Sequence, residues 1–206
     1  KSAATFGDAA MFSFHATKVF NTIEGGAVCF KDEALYPLLN QWKNFGITGP
    51  EDVEYVGGNA KMNEFCAAMG VCNLRHLDAE MAKRRAVAER YWERLEGMPG
   101  VAVFRPGDGI KHNYAYLPVL IDPQIFGATR DDVFDALDAV NVGARKYFYP
   151  LVSDFACYRS VYSSDRTPVA KKAASQVLTL PMYADLALTD VDRICDAVLA
   201  TGKENR

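Results

Sequence analysis

The sequence predicts an α/β protein. Short apolar runs bounded by turn residues alternate with stretches whose apolar residues recur every three or four positions. Ala9 to Phe14, Gly26 to Phe30, Tyr114 to Ile121 and Val177 to Leu180 are of the first kind. Residues 34–45, 62–95, 129–140 and 189–199 are of the second. A Gly-Met-Pro-Gly stop at residues 97–100 divides the chain into residues 1–100 and a smaller α/β domain at residues 101–206.

Ala9 to Phe14 follows a Gly-Asp pair and reads as a buried strand, and the turn at Asn21 to Gly25 makes Gly26 to Phe30 its antiparallel neighbour. Ala34 to Phe45 forms a helix with Leu35, Leu38, Leu39 and Trp42 on one face. Gly46 to Gly58, glycine-rich and acidic, reads as a loop. From Met62 to Leu95 the pattern is helical, through Leu74, Leu77, Met81, Val87 or Ala88, Tyr91 and Leu95. A break is expected near Leu77-Asp78, with Asn59 or Asn63 as the cap. In the strand Tyr114 to Ile121, Pro118 has no N–H to give a ladder and suggests an edge or a bulge. Thr129 caps a helix running to about Val140, with acids in its first turn. Gly143 to Tyr149 leads into a short extended piece, and Val177 to Leu180 is a strand ended by Pro181. The run Thr189-Asp-Val-Asp192 caps a final helix through Leu199, and residues 201–206 fray.

Composition narrows the classes of function. Half the residues are hydrophobic and 24% are charged, ordinary for a globular protein. A formal net charge of −3 argues against nucleic acid as partner. The cluster Lys83-Arg84-Arg85 sits among glutamates and reads as a solvated helix face. No apolar run is long enough for a membrane span, and no basic leader precedes an apolar stretch. The five cysteines are scattered, odd in number and without metal spacing, which suggests reduced thiols and a cytoplasmic home. His15, His76 and His112 lack ligand spacing, so no metal is expected. The chain opens at Lys1 without a methionine and runs straight into an apolar strand, so it reads as a piece that starts inside a longer protein.

The residue that points most directly to chemistry is Lys18. It ends the run Ser13-Phe-His-Ala-Thr-Lys18, with Met11, Phe12 and Phe14 before it and Glu24-Gly25-Gly26 after it. An ammonium pressed against apolar surface loses hydration, which favours the neutral amine that condenses with aldehydes. The alternative is a surface lysine beside a buried strand.

The segment from Phe6 to Val28 resembles the lysine segment of the DegT/DnrJ/EryC1/StrS sugar aminotransferases, fold-type-I enzymes that use pyridoxal 5′-phosphate. The resemblance continues, in the family's order, through Gly57-Gly-Asn-Ala-Lys-Met-Asn-Glu-Phe65, Arg145-Lys-Tyr-Phe-Tyr-Pro-Leu151 and Val177-Leu-Thr-Leu-Pro-Met182. It implies the C-terminal half of such an enzyme: part of the large-domain mixed sheet, a connecting helix and the small α/β domain. It implies Lys18 as the residue that holds the cofactor and moves the proton. Ser13 would donate to the cofactor phosphate, or else be satisfied by backbone. Asn59 would reach the phosphate of the other subunit in a homodimer, or else cap the following helix. His15 would touch the sugar or pack beside the cofactor. Arg145, Lys146 and Tyr147 would meet the diphosphate or sugar of a nucleotide-sugar, or else form an exposed strand edge. Asn113 and Tyr114 hold a neighbouring family position. Lys61 stands where the family often has arginine, which leaves its role open. The aromatic set Tyr147, Phe148, Tyr149 and Phe155 reads as core rather than ligand box.

The resemblance further implies transfer of an amino group from L-glutamate to a dTDP-4-keto-6-deoxyhexose. The family's aspartate for the pyridine nitrogen lies upstream of the lysine segment and has no counterpart here, and Asp8 is no substitute. The competing reading is therefore a folded, dimerising half without activity, with exposed strand edges and apolar surface. Dehydratases on the same scaffold carry histidine in place of the lysine, so Lys18 argues against them.

Overall fold

The computed structural model describes residues 1–202. Its contacts divide the chain into two compact units, Lys1–Asp78 and Ala79–Arg206.

In the first unit, β1 (Ala9–Ser13) and β2 (Gly26–Phe30) form a two-stranded antiparallel sheet, in register from Ala9 opposite Phe30 to Ser13 opposite Gly26. The helices α1 (Leu35–Lys43) and α2 (Glu64–Leu74) follow, separated by the expected loop. The cap of α2 is Asn63, whose side chain accepts the Cys66 N–H at 2.9 Å. The expectation that β1 is buried does not hold: Met11 is 85% exposed and Phe12 37%. Trp42 and Leu74, expected on apolar helix faces, are exposed as well. The reason is geometric, since a two-stranded sheet has two faces and two edges to cover and, among the described residues, no third strand covers them. Cys66 is the one buried hydrophobic side chain of this unit among the described residues.

The helix α3 (Leu77–Leu95) begins after a break at Arg75 and His76. A short strand that the sequence pattern did not signal, β3 (Val101–Val103), pairs antiparallel with β4 (Leu117–Ile121), and β4 pairs with β5 (Val177–Leu180). Between them lie α4 (Pro123–Phe126), α5 (Arg130–Ala139) and α6 (Pro168–Gln176), and α7 (Leu188–Thr201) closes the chain. Of the fraying expected at residues 201–206, Thr201 is the last residue of α7, and residues 203–206 lie outside the described residues.

Three sequence expectations are corrected here. The strand β4 is central, not an edge. Pro118 is tolerated because its partner Thr179 exchanges both backbone hydrogen bonds with Arg145 instead, and β3 stops opposite Val119. The absent N–H therefore costs no ladder bond. Helix α7 begins at Leu188, and its N-cap Ala187 makes no side-chain cap bond, so Thr189 is not the cap. Thr129, by contrast, makes the full capping box with Asp132. The cluster at 83–85 is not uniformly solvated. Arg84 is half-buried and donates to the carbonyls of Tyr114 at 3.4 Å and Met182 at 3.1 Å, and burial lowers its proton affinity.

The core of this unit joins Val87, Tyr91 and Leu95 of α3 to Val119, Ile121 and Leu178 of the sheet and to Leu137, Val191 and Val198 of the helices. Tyr91 Oη donates to the Pro181 carbonyl at 3.0 Å, which satisfies its hydroxyl inside that core. Burial pushes the Cys195 thiol up to about 12, so it is an inert packing group. All five cysteines are free. Among the described residues, no His, Cys, Asp and Glu cluster suits a metal ion, and no helix is long and apolar enough to cross a membrane.

One ionic network ties α3 to α7. Arg90 grips Asp192 through two bonds, Nε to Oδ1 at 2.8 Å and Nη2 to Oδ2 at 2.9 Å, and Arg94 adds a third at 2.7 Å. Hydrogen bonds from Arg90 and then Arg94 hold the Asp192 carboxyl below the usual carboxylate range. A depressed carboxyl stabilises the fold above its unfolded value of about 4, and that contribution is lost as pH falls through the folded value. Asp192→Asn is expected to lower the thermal midpoint at pH 7 and to converge with the unmodified protein on acidification below about pH 4. A gap that stays constant with pH would show that the residue acts by packing alone.

Candidate active site

The chain between β1 and β2 carries the predicted lysine, and its backbone is held throughout. Phe14 N–H donates to the Gly25 carbonyl at 2.8 Å, and Thr22 N–H to the Phe14 carbonyl at 2.9 Å. Lys18 N–H donates to the His15 carbonyl at 2.9 Å, closing a turn that starts two residues past Ser13. The rings of Phe14 and Phe20 meet edge-on at 4.9 Å beneath this loop. Lys18 is half-buried, whereas Ser13 and His15 are exposed. Of the apolar residues expected to crowd the lysine, Met11 and Phe12 are exposed and only Phe14 is half-buried.

The polar groups around Lys18 have defined roles. Ser13 Oγ accepts one long bond from the His15 N–H at 3.4 Å, and its own proton has no acceptor among the described residues. His15 Nδ1 accepts the Thr17 N–H at 3.3 Å and lies 3.0 Å from the Thr17 hydroxyl. This pattern assigns the ring proton to Nε2, which lies 3.5 Å from Glu24 Oε1.

Asn59 sits in a turn fastened to the end of α1. Gly58 N–H donates to the Trp42 carbonyl at 2.9 Å, Phe45 N–H to the Gly58 carbonyl at 3.0 Å, and Ala60 N–H to the Lys43 carbonyl at 2.9 Å. Gly57 is required by close approach: a Cβ there would lie 2.6 Å from the Phe45 carbonyl carbon and 2.8 Å from the Trp42 oxygen. Because Asn63 caps α2, the capping alternative for Asn59 is removed. Asn59 is exposed, and its amide makes no hydrogen bond among the described residues. Lys61 donates to Asn44 at 2.8 Å and covers the Phe45 ring at 4.1 Å, so its charge has a structural use.

A groove of about 950 Å3 in the same unit is lined by Met11, Phe12, Val28, Tyr36, Trp42 and Lys61 among others. Ser13, His15, Lys18 and Asn59 are not among its lining residues.

The other candidates belong to the second unit. Arg145 pairs through its backbone with Thr179, and its exposed guanidinium makes no hydrogen bond or ion pair among the described residues, although its charge acts on the Tyr147 phenol. The neighbouring Lys146 is committed differently, donating to Asp131 at 2.5 Å and covering the Phe134 ring at 4.6 Å. Lys146, then Arg130, hold the Asp131 carboxyl below its usual range. Tyr147 stacks on Tyr116 at 5.2 Å, and a hydrogen bond with the Tyr116 hydroxyl raises its phenol above the ordinary value. Tyr114 takes a positive φ of 50°, packs its ring on Trp92 at 6.3 Å and donates its N–H to His112. The aromatic set is not core: Phe148 is 68% exposed, and Tyr149 and Phe155 are exposed too.

Sequence reasoning missed Arg130, which is 3% exposed and donates to the carbonyls of Ala174 and Val177. It also missed Asn21, Thr22, Gly70 and Asn73, which hold the lysine loop against α2. An isolated glycine inside a helical pattern was the available signal, since it marks a close approach.

The chain is similar to known proteins. The chain is 34% identical to the dTDP-4-amino-4,6-dideoxy-D-glucose transaminase of Shigella dysenteriae over 192 residues, covering 93% of this chain and 52% of that protein. It is 38% identical to the enzyme of that name from Escherichia coli over 165 residues, covering 79% and 44%. A solved structure of DesI, in the presence of its TDP-sugar product, matches with a TM-score of 0.87 at 35% identity, covering 96% of this chain and 50% of that one. The aminotransferase TlmJ from Streptoalloteichus hindustanus matches at 0.86 and 27%, covering 98% and 54%. The chain thus spans about half the length of the curated relatives it matches, and its fold is that of half a fold-type-I aminotransferase. With the family model matched across residues 1–199, the chain belongs to the DegT/DnrJ/EryC1/StrS aminotransferase family.

Proposed function

We propose that these residues serve the pyridoxal 5′-phosphate-dependent transfer of an amino group from L-glutamate to the keto group of a nucleotide-linked deoxysugar, a dTDP-4-keto-6-deoxyhexose. The observation that carries this reading is Lys18 itself, half-buried on a loop whose backbone is hydrogen-bonded at both ends. The cofactor, when bound, supplies the electron sink. Lys18 Nζ would hold that cofactor and would take the proton that leaves the α-carbon of the amino donor. Ser13 Oγ, with an uncommitted proton, suits the cofactor phosphate, and the uncommitted Asn59 amide suits the phosphate bound by the partner subunit of a homodimer. For the substrate, the exposed guanidinium of Arg145 suits a diphosphate, and Tyr147 in the same unit and, separately, the Nε2–H of His15 suit its hydroxyls. Tyr114 has less support, because its ring and backbone are engaged in packing.

The carboxylate that keeps the pyridine nitrogen protonated is not among these residues. The activity is accordingly proposed for a protein of the relatives' length, to which this half contributes the lysine. A second reading, a folded half without turnover, is favoured by the uncovered apolar faces of β1, β2 and α1. The two readings separate by assay. The 206-residue chain alone is expected to give a weak cofactor absorbance band or none, and a full-length form a clear one. The full-length form is expected to release 2-oxoglutarate from L-glutamate only when the keto-sugar nucleotide is added. Absence of that dependence in the full-length form would overturn the proposal.

A further inference from the structure

We propose that Asn73, on α2, is a positioning residue that fixes the Lys18 loop from outside the motif that carries it. Asn73 Nδ2 donates to the Asn21 carbonyl at 2.9 Å, and Asn21 Nδ2 donates to the Lys18 carbonyl at 3.2 Å. One relay thus runs from the helix through the loop to the lysine's own peptide. Asn21 Oδ1 also accepts the Ile23 N–H at 3.3 Å, where φ is 68°, a costly region for a β-branched residue. The same side chain therefore holds the loop through its most strained corner. Between the two asparagines, Thr22 is 3% exposed. It packs so closely on Gly70, three residues before Asn73, that a Cβ at position 70 would lie 2.7 Å from its methyl. Helix α2 starts at the Asn63 cap, directly after the turn that carries Asn59, and its last turn grips the lysine loop. It thus follows the segment that carries Asn59 and grips the segment that carries Lys18.

This inference rests on Lys18 as the cofactor amine, and its test separates the two. Asn73→Ala removes the donor while favouring the helix, so α2 stays formed. Hydrogen exchange at the amides of Thr22 and Glu24 is expected to rise about tenfold, with the β1–β2 ladder unchanged. Asn21→Ala, which cuts the relay from the loop side, is expected to give the same pattern. In parallel, in the full-length form, pyridoxal 5′-phosphate followed by borohydride reduction labels lysines, and peptide mapping gives the share at Lys18. That share is expected to fall at least about threefold in both variants. Unchanged exchange at Thr22 and Glu24 overturns the proposal whatever Lys18 does, and needs no cofactor to be read. Raised exchange with unchanged labelling overturns it too, because the loop then moves without moving the amine. Labelling of the unmodified protein with no preference for Lys18 overturns the cofactor role of Lys18 and, with it, any positioning role for Asn73.

Discussion

Lys18→Ala in the full-length protein is expected to abolish the cofactor's visible absorbance band and to lower kcat by about 10³-fold or more. Two functions are lost together. On the proposed function, the amine that would hold the cofactor is gone, and so is the base that would move the donor's α-proton, a role worth about 10²–10⁴-fold by itself. The fold should not suffer. Lys18 makes no side-chain hydrogen bond or ion pair among the described residues, and the loop's bonds run through its backbone. Unfolding by heat or urea is therefore expected to move by no more than about 0.5 kcal/mol. Lys18→Arg sharpens the result. It keeps a cation of similar reach, but a guanidinium stays protonated and cannot condense with an aldehyde. Activity that survives in the arginine variant would reduce Lys18 to a charge that attracts the phosphate. Activity that survives in both variants would remove it from the chemistry.

Much of this architecture was legible because local patterns and tertiary contacts agree. The Thr129 cap, the strand Val177–Leu180 and the antiparallel hairpin around Lys18 are written in short-range chemistry, and packing adds no conflict. The misreadings occur where a distant segment decides. Pro118 lies in a central strand because Arg145, 27 positions later, takes the bonds of its partner Thr179. The apolar pattern of β1 is real, yet among the described residues no third strand covers it. For the site, motif residues could be named from spacing and resemblance. What holds them could not, since Asn73 and Asn21 are ordinary polar residues 52 positions apart whose meeting only the fold creates. Arg130 reads as a helix-start cation and proves to be a buried clamp on two carbonyls.

The turn that carries Asn59 yields a paired expectation, because Gly57 and Asn59 serve it in different ways. Gly57→Ala drives a methyl into the Phe45 carbonyl carbon, the Trp42 oxygen and the Gly46 nitrogen. These are backbone atoms, so no side-chain rotation relieves the collision. The three hydrogen bonds that fasten residues 58 and 60 to α1 must stretch or break. The expected cost is about 2–3 kcal/mol of stability, at the upper end for overpacking. Exchange of the Gly58 and Ala60 amides should rise with it. Asn59→Ala touches none of this. Its side chain is exposed and unpaired among the described residues, and Asn63 already caps α2. Stability should stay within about 0.5 kcal/mol. On the proposed homodimer, cofactor affinity of the full-length form should fall about tenfold to a hundredfold, the range for one hydrogen bond to a charged group. The pair discriminates between ways of failing. If Asn59→Ala loses stability and not affinity, the asparagine is a structural residue and the phosphate contact is wrong. If Gly57→Ala loses affinity at unchanged stability, the turn has slack, and the close approach to α1 is not what holds the amide in place.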